Sequence, residues 1–140
     1  MKFFKENLIQ FALIIATVST LGSLYFSEIV KFPPCSLCWY QRLFMYPIML
    51  IIIIGLWRKD KNLAYFVLPF SIIGLIISFY HNLLYYGFIS EAFQPCTVGI
   101  SCTERQLDLF GFMSIPLMSL VAFIFITILT LLYKKIATEK

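Results

Sequence analysis

Apolar residues fall in four long stretches separated by short polar segments. Within these stretches the only formal charge is Arg42, in the second. About 20 residues, at a rise of about 1.5 Å each, cross a hydrocarbon core of about 30 Å. The pattern predicts four transmembrane helices, with outer loops at about 28–34 and 88–108; the helices are expected at about 7–27, 35–57, 63–87 and 109–133.

Composition supports lipid as the solvent for most of the chain. The 140 residues are 61% hydrophobic and 13% charged, and a soluble fold of this size has too little interior for so much apolar surface. The first apolar run is longer than a signal-peptide core and lacks a small-x-small cleavage site, which favours a retained helix. We expect residues 1–140 to form a single all-α membrane domain, a bundle of four transmembrane helices.

Basic residues are distributed unevenly between the two predicted sides. Three lie on or near the outer side: Lys31, Arg42 and Arg105. Eight lie on the other: Lys2, Lys5, Arg58, Lys59, Lys61, Lys134, Lys135 and Lys140. The positive-inside rule therefore predicts that both termini and the 58–61 loop face the cytoplasm. The net charge is +4, but the basic residues form no stripe or large patch, which argues against a nucleic-acid partner.

All four cysteines fall on the predicted outer side. Cys35 and Cys38 lie at the start of the second helix, and Cys96 and Cys102 lie in the second outer loop. That side opens onto a compartment in which disulfides persist. The cysteines are the strongest chemical signal in the sequence.

Three interpretations of the cysteines remain open. They could form two structural disulfides, although a C-x-x-C bridge closes too short a loop to stabilise much. They could bind zinc through four thiolates, although C-x5-C is a wide spacing and an oxidising exterior disfavours free thiolates. They could form two redox-active pairs, because in C-x-x-C one thiolate attacks while the other resolves the mixed disulfide.

The helix start favours the redox interpretation. Pro33 and Pro34 lack amide donors and suit the beginning of a helix. A cysteine in the first turn lies at the positive end of the helix dipole, which stabilises its thiolate. This argument makes Cys35 the more activated thiol.

Two further residues are candidates for binding a redox partner. On a regular helix Arg42 shares a face with Cys35 and Cys38 and lies about 6 Å deeper than Cys38. It either reaches to the lipid head groups or stabilises negative charge on a bound quinone. His81, the single histidine, either packs at the membrane interface or assists quinone protonation.

Two motifs resemble those of a known family. Residues 35–42 (CSLCWYQR) resemble the C-x-x-C-x-Y-x-R motif of the DsbB family of disulfide bond formation proteins, and residues 102–111 (CTERQLDLFG) resemble its C-x-E-R-Q-x-D-x-x-G. Residues 80–84 (YHNLL) match a third motif more loosely. The short chain is most similar to the Gram-positive branch, called BdbC in bacilli.

The resemblance implies a function and a set of partners. An extracytoplasmic thioredoxin-like thiol oxidase would pass electrons to Cys96 and Cys102, with Cys96 forming the mixed disulfide. Cys35 and Cys38 would reoxidise that pair and reduce a membrane quinone, menaquinone or ubiquinone, thereby supporting disulfide formation in exported proteins. The resemblance makes Cys38 the partner of the quinone, whereas the dipole argument favours Cys35. Arg42 would bind the quinone, and His81 would assist.

Two rival functions and one difficulty remain. A structural or transport protein would use the cysteines as permanent disulfides. A vitamin K epoxide reductase also combines C-x-x-C with four helices, but the segment at 104–106 (ERQ) speaks against it. The five residues between Cys96 and Cys102 give that loop little reach toward the C-x-x-C pair.

Overall fold

Four α-helices make up nearly all of the described chain. The structure is a computed structural model that describes residues 2–31, 35–60, 62–89 and 114–138. The helices are α1 (Lys2–Glu28), α2 (Ser36–Arg58), α3 (Leu63–Tyr85) and α4 (Ile115–Thr138). Each contains a segment long and apolar enough to cross a membrane. The prediction of an all-helical protein with four candidate spans is confirmed.

Some helix ends differ from the predicted ones, which were placed at the limits of the uncharged stretches. α1 begins at Lys2 and α4 continues to Thr138, beyond the uncharged stretches, because a helix can extend its charged ends into the head-group region. α3 ends at Tyr85, shortly before Gly87, whose φ of 76° lies in the left-handed region. The predicted start of the fourth helix near 109 lies outside the described residues, and Ser114 precedes the observed helix.

The helices pack in a ring, with α1 and α3 each contacting α2 and α4. On α1 the core positions include Ala12 and Ala16, both fully buried. These small side chains allow α1 to approach its neighbours closely. The central core contains residues from all four helices: Ile9, Ala12, Ala16, Met45, Ile48, Ile52, Leu63, Val67, Ala122, Phe123 and Ile126.

The outer surface of the bundle is apolar. Each helix contains an apolar stretch of 18 residues, and only 28% to 39% of that stretch is buried inside the bundle. Large side chains such as Phe66 and Phe79 point outward, and an apolar surface this extensive is not stable in water. In a bilayer it faces lipid, while the helices satisfy their own backbone hydrogen bonds. The chain is therefore a multi-pass membrane protein.

One end of the bundle is held together by an asparagine. The Asn82 side-chain amide donates to the carbonyl oxygens of Ser78, on the same helix, and Pro116, at 2.9 and 2.8 Å. The second bond ties the end of α3 to the first turn of α4. His81 is the adjacent residue, so this tie fixes the part of α3 that carries it.

At Gly74 the α3 and α4 helices pack closely. A Cβ added there would overlap the ring of Phe123, which is fully buried, whereas a Cβ at Gly22 would meet nothing within 4 Å. We expect Gly74→Ala to lower the free energy of unfolding by about 1–3 kcal/mol through overpacking. Gly22→Ala is the matched control and should be neutral or slightly stabilising.

Thermal unfolding of the detergent-solubilised protein measures both variants. A midpoint for Gly74→Ala equal to that of Gly22→Ala would contradict the close packing of α3 on α4.

Candidate active site

Two cysteines at the start of α2 form the centre of the candidate site. Cys35 is the N-cap residue, with an extended backbone (φ −67°, ψ 163°), and its sulfur accepts a hydrogen bond from the Cys38 N–H at 3.4 Å. Both cysteines are free thiols, with their sulfurs 2.8 Å apart. A disulfide requires about 2.05 Å, so only a small movement is needed for the sulfurs to bond when an acceptor removes two electrons and two protons from the dithiol.

His81 on α3 lies against Cys35. Its Nε2 atom is 3.7 Å from the Cys35 sulfur, within hydrogen-bonding range for sulfur. The imidazole is 1% exposed, and Leu37 and Leu84 pack around the cysteine as a small buried cluster. The structure therefore brings together three residues predicted as site candidates: Cys35, Cys38 and His81.

The hydrogen bonds around Cys35 favour its thiolate. The bond from the Cys38 thiol is the largest cause that holds the pKa of Cys35 well below the ordinary thiol value, and the hydrogen bond and electrostatic interaction with His81 add to it against the opposing effect of burial. This direction agrees with the helix-dipole argument, which favours Cys35 as the activated thiol.

Arg42 lies elsewhere on α2 and contacts α1. Its guanidinium donates from Nε to the Ser23 hydroxyl at 2.6 Å and from Nη2 to the Ser23 carbonyl oxygen at 2.8 Å. Cys35, in contrast, faces α3. The expected common face of Cys35 and Arg42 is not formed, because the extended backbone at Cys35 takes its side chain out of helical register. The guanidinium is instead fixed between α2 and α1, at the same end of the bundle as the thiols.

Cys96 and Cys102 lie outside the described residues, as does most of the second outer loop. Their pairing, and the route by which they would reach Cys35 and Cys38, remain predictions. Pro33 and Pro34 are also outside the described part of the chain.

Sequence reasoning missed two residues of this region. Gln41 is 6% exposed, and its side-chain nitrogen lies 3.2 Å from Nδ1 of His81. Ser23 holds Arg42. Each is an uncharged polar residue in an apolar span, and Gln41 follows Cys38 by three positions, which on a helix places the two side chains near each other. Those signals were present, but they did not identify the partners.

The two sulfurs and the imidazole nitrogen are also atoms that could bind a metal ion. The ligand atoms of Cys35, Cys38 and His81 lie within 4.8 Å of one another. A structural zinc site has four protein ligands, and the described residues supply three. The four-cysteine alternative also needs Cys96 and Cys102, which lie outside the described residues, so it stays an alternative.

The fold and site define a class: a multi-pass membrane protein with a reactive dithiol at one end of a four-helix bundle. Comparison with known families narrows this class. The family model for "Disulfide bond formation protein DsbB" matches residues 5–133. The chain belongs to the DsbB family, whose members are membrane oxidoreductases acting on disulfide bonds, and the resemblance drawn from the motifs is confirmed.

Several relatives carry names of the same kind. A "Probable disulfide formation protein C 2" from Bacillus anthracis is 52% identical over 121 residues, which cover 86% of each chain. The "Disulfide bond formation protein C" of Bacillus subtilis (strain 168) is 45% identical over 121 residues, covering 86% of this chain and 88% of the relative. A "Probable disulfide formation protein" from Metapseudomonas resinovorans is 39% identical over 133 residues, covering 94% and 92%. No solved structure matches the chain.

Cys35 should react with alkylating reagents at a pH where ordinary thiols do not. An unperturbed thiol, with a pKa of about 8.5, is almost fully protonated at about pH 6, whereas the lowered pKa of Cys35 keeps its thiolate populated. In the reduced Cys96→Ser/Cys102→Ser protein we expect iodoacetamide to modify Cys35 in preference to Cys38, as measured by peptide mass spectrometry.

The control for this measurement is Cys35→Ser in the same background, which should leave little modification at that pH. Preferential labelling of Cys38 would contradict the assignment of Cys35 as the activated thiol.

Proposed function

We propose that the protein reoxidises an extracytoplasmic thioredoxin-like thiol oxidase and transfers the electrons to a membrane quinone. The observation that carries this proposal is the Cys35–Cys38 dithiol, with a histidine nitrogen 3.7 Å from the Cys35 sulfur at the end of a membrane-spanning bundle. The names of the relatives support the direction of the reaction, toward disulfide formation.

Electrons would enter through the loop cysteines. A thiolate of the reduced partner attacks the Cys96–Cys102 disulfide at Cys96, and the partner's second thiol resolves the mixed disulfide, leaving the partner oxidised and the loop pair reduced. The loop pair then reduces the Cys35–Cys38 disulfide by the same exchange. Each exchange moves two electrons and two protons, so the number of thiols is conserved until the quinone is reached.

Arg42 and His81 are the residues we assign to the quinone. A quinone supplies a lipid-soluble acceptor for two electrons and two protons. Arg42 offers a fixed positive charge at the end of the bundle that carries the thiols, suited to oxygens that gain negative charge. His81 offers a buried N–H beside the sulfur. A cation, an N–H donor and a thiolate therefore lie near one lipid boundary, which fits such an acceptor.

The charge distribution supports placing this site outside the cytoplasm. At the opposite end of the bundle, the Lys134 ammonium lies 4.5 Å from the centre of the Tyr65 ring, and the Tyr133 hydroxyl donates to the Asp60 carbonyl oxygen at 3.4 Å. These contacts bring the basic end of α4 to the basic C-terminal end of α2, where Arg58 is the last helical residue and Lys59 follows it. We assign that basic end to the cytoplasm by the positive-inside rule, and the dithiol end to the outer side.

Turnover by the purified protein tests this function. With reduced thioredoxin-like partner and quinone present, we expect quinol to form, and Cys35→Ser or Cys38→Ser should each abolish quinol formation because neither variant can form the disulfide. Ser36→Ala, between the two cysteines, is the matched control and should keep the wild-type rate.

If the wild-type protein forms no quinol, or if Cys35→Ser retains turnover, the proposed reaction is wrong. Permanently oxidised cysteines that do not respond to quinone would indicate the structural or transport alternative.

Replacing Arg42 should weaken quinone binding selectively. Loss of a charge-assisted hydrogen bond of about 1.5–3 kcal/mol predicts a rise in the apparent quinone KM of about tenfold or more in Arg42→Ala, with a smaller rise in Arg42→Lys, which keeps the charge but loses the planar fork. Steady-state kinetics with varied quinone measure both. Arg58→Ala, at the other end of α2, is the control, and an unchanged KM in Arg42→Ala removes Arg42 from the quinone site.

A further inference from the structure

Gln41 connects the two helices of the site through His81. Its side-chain nitrogen lies 3.2 Å from Nδ1 of His81, whose other ring nitrogen, Nε2, lies 3.7 Å from the Cys35 sulfur. The contacts therefore run from α2 to α3 and back to the beginning of α2. Gln41 is 6% exposed and His81 is 1% exposed, so little water competes for these hydrogen bonds.

The chemistry of the amide determines the direction of both bonds. A side-chain amide nitrogen only donates, so Nδ1 of His81 accepts and the proton of the neutral ring resides on Nε2. That proton points at the Cys35 sulfur, which accepts the bond best as a thiolate. Without the Gln41 amide donating to Nδ1, the ring loses both the bond that fixes its orientation and the preference for this tautomer.

We infer that Gln41 is a positioning residue that holds His81 in the tautomer and orientation that donate Nε2–H to the Cys35 thiolate. The inference deepens the proposed function, because it concerns the redox poise of the same dithiol. No role was assigned to Gln41 by the sequence motifs, in which its position is variable.

The consequence is an effect on the thiol–disulfide equilibrium. When two glutathione thiols reduce the Cys35–Cys38 disulfide, two electrons pass to the pair, glutathione disulfide forms, and the products are the Cys38 thiol, the Cys35 thiolate and one released proton. The hydrogen bond from Nε2–H stabilises the Cys35 thiolate of the reduced pair. It stabilises the disulfide much less, because a disulfide sulfur is uncharged and accepts hydrogen bonds weakly. Gln41 should therefore make the pair a stronger oxidant.

A redox titration in glutathione buffers tests this effect. In the full-length Cys96→Ser/Cys102→Ser protein, only Cys35 and Cys38 titrate. We expect Gln41→Leu, which keeps the side-chain size, to lower the equilibrium constant for reduction about tenfold, equivalent to about 30 mV. Thr127→Val is the control: it removes a buried hydroxyl on α4, whose bond is to the Phe123 carbonyl oxygen of its own helix, and it should leave the constant unchanged.

A double-mutant cycle shows whether Gln41 acts through His81. In the His81→Leu background, Gln41→Leu should change the constant less than twofold, because the ring that it positions is gone. An equal effect of Gln41→Leu in both backgrounds, no effect in either, or a matching effect of Thr127→Val would overturn the inference.

Gln41→Glu separates positioning from general disruption of the site. A carboxylate at this position accepts a bond from a protonated Nδ1, and the doubly protonated ring still donates Nε2–H to the sulfur. We expect this variant to keep at least the wild-type constant, and a loss as large as that of Gln41→Leu contradicts the inference. The titration needs neither partner nor quinone, so its failure is distinguishable from a failure of the turnover assay.

Discussion

The buried contact between the Cys35 sulfur and Nε2 of His81, 3.7 Å long, is the interaction on which the site depends. It requires α2 to begin where α3 ends, so the antiparallel packing of these helices is a condition of the chemistry. Asn82 fixes the end of α3 to α4, and Leu37 and Leu84 bury the cysteine. The bundle thus positions one sulfur and one imidazole that lie far apart in sequence.

The lipid environment explains how so small a chain can form such a site. A soluble protein of 140 residues must cover its core with polar surface, whereas these helices expose apolar side chains outward and need only a narrow packed seam between them. Buried hydroxyls such as those of Thr127 and Thr130 bond to carbonyl oxygens of their own helix. Among the described residues, the dithiol end carries polar contacts between helices, those of Gln41 with His81 and of Arg42 with Ser23.

The sequence predicted the four helices and the dithiol because both leave local signals: uncharged length for a span, and C-x-x-C spacing for the thiols. It did not predict that Arg42 would bond to Ser23 or that Gln41 would bond to His81. Such pairings depend on the rotation of one helix against another, which local periodicity does not specify. The extended backbone at Cys35 also broke the helical register from which a face shared with Arg42 was expected.

We propose that Cys35 and Cys38 cycle between dithiol and disulfide with the quinone pool as the final acceptor. Thiol trapping in intact cells tests it most directly, with the two cysteines scored by gel shift when quinone is present and when its synthesis is blocked. We expect a mostly oxidised pair with quinone and an accumulation of reduced thiols without it. A pair that stays in one redox state under both conditions would show that quinone does not oxidise it.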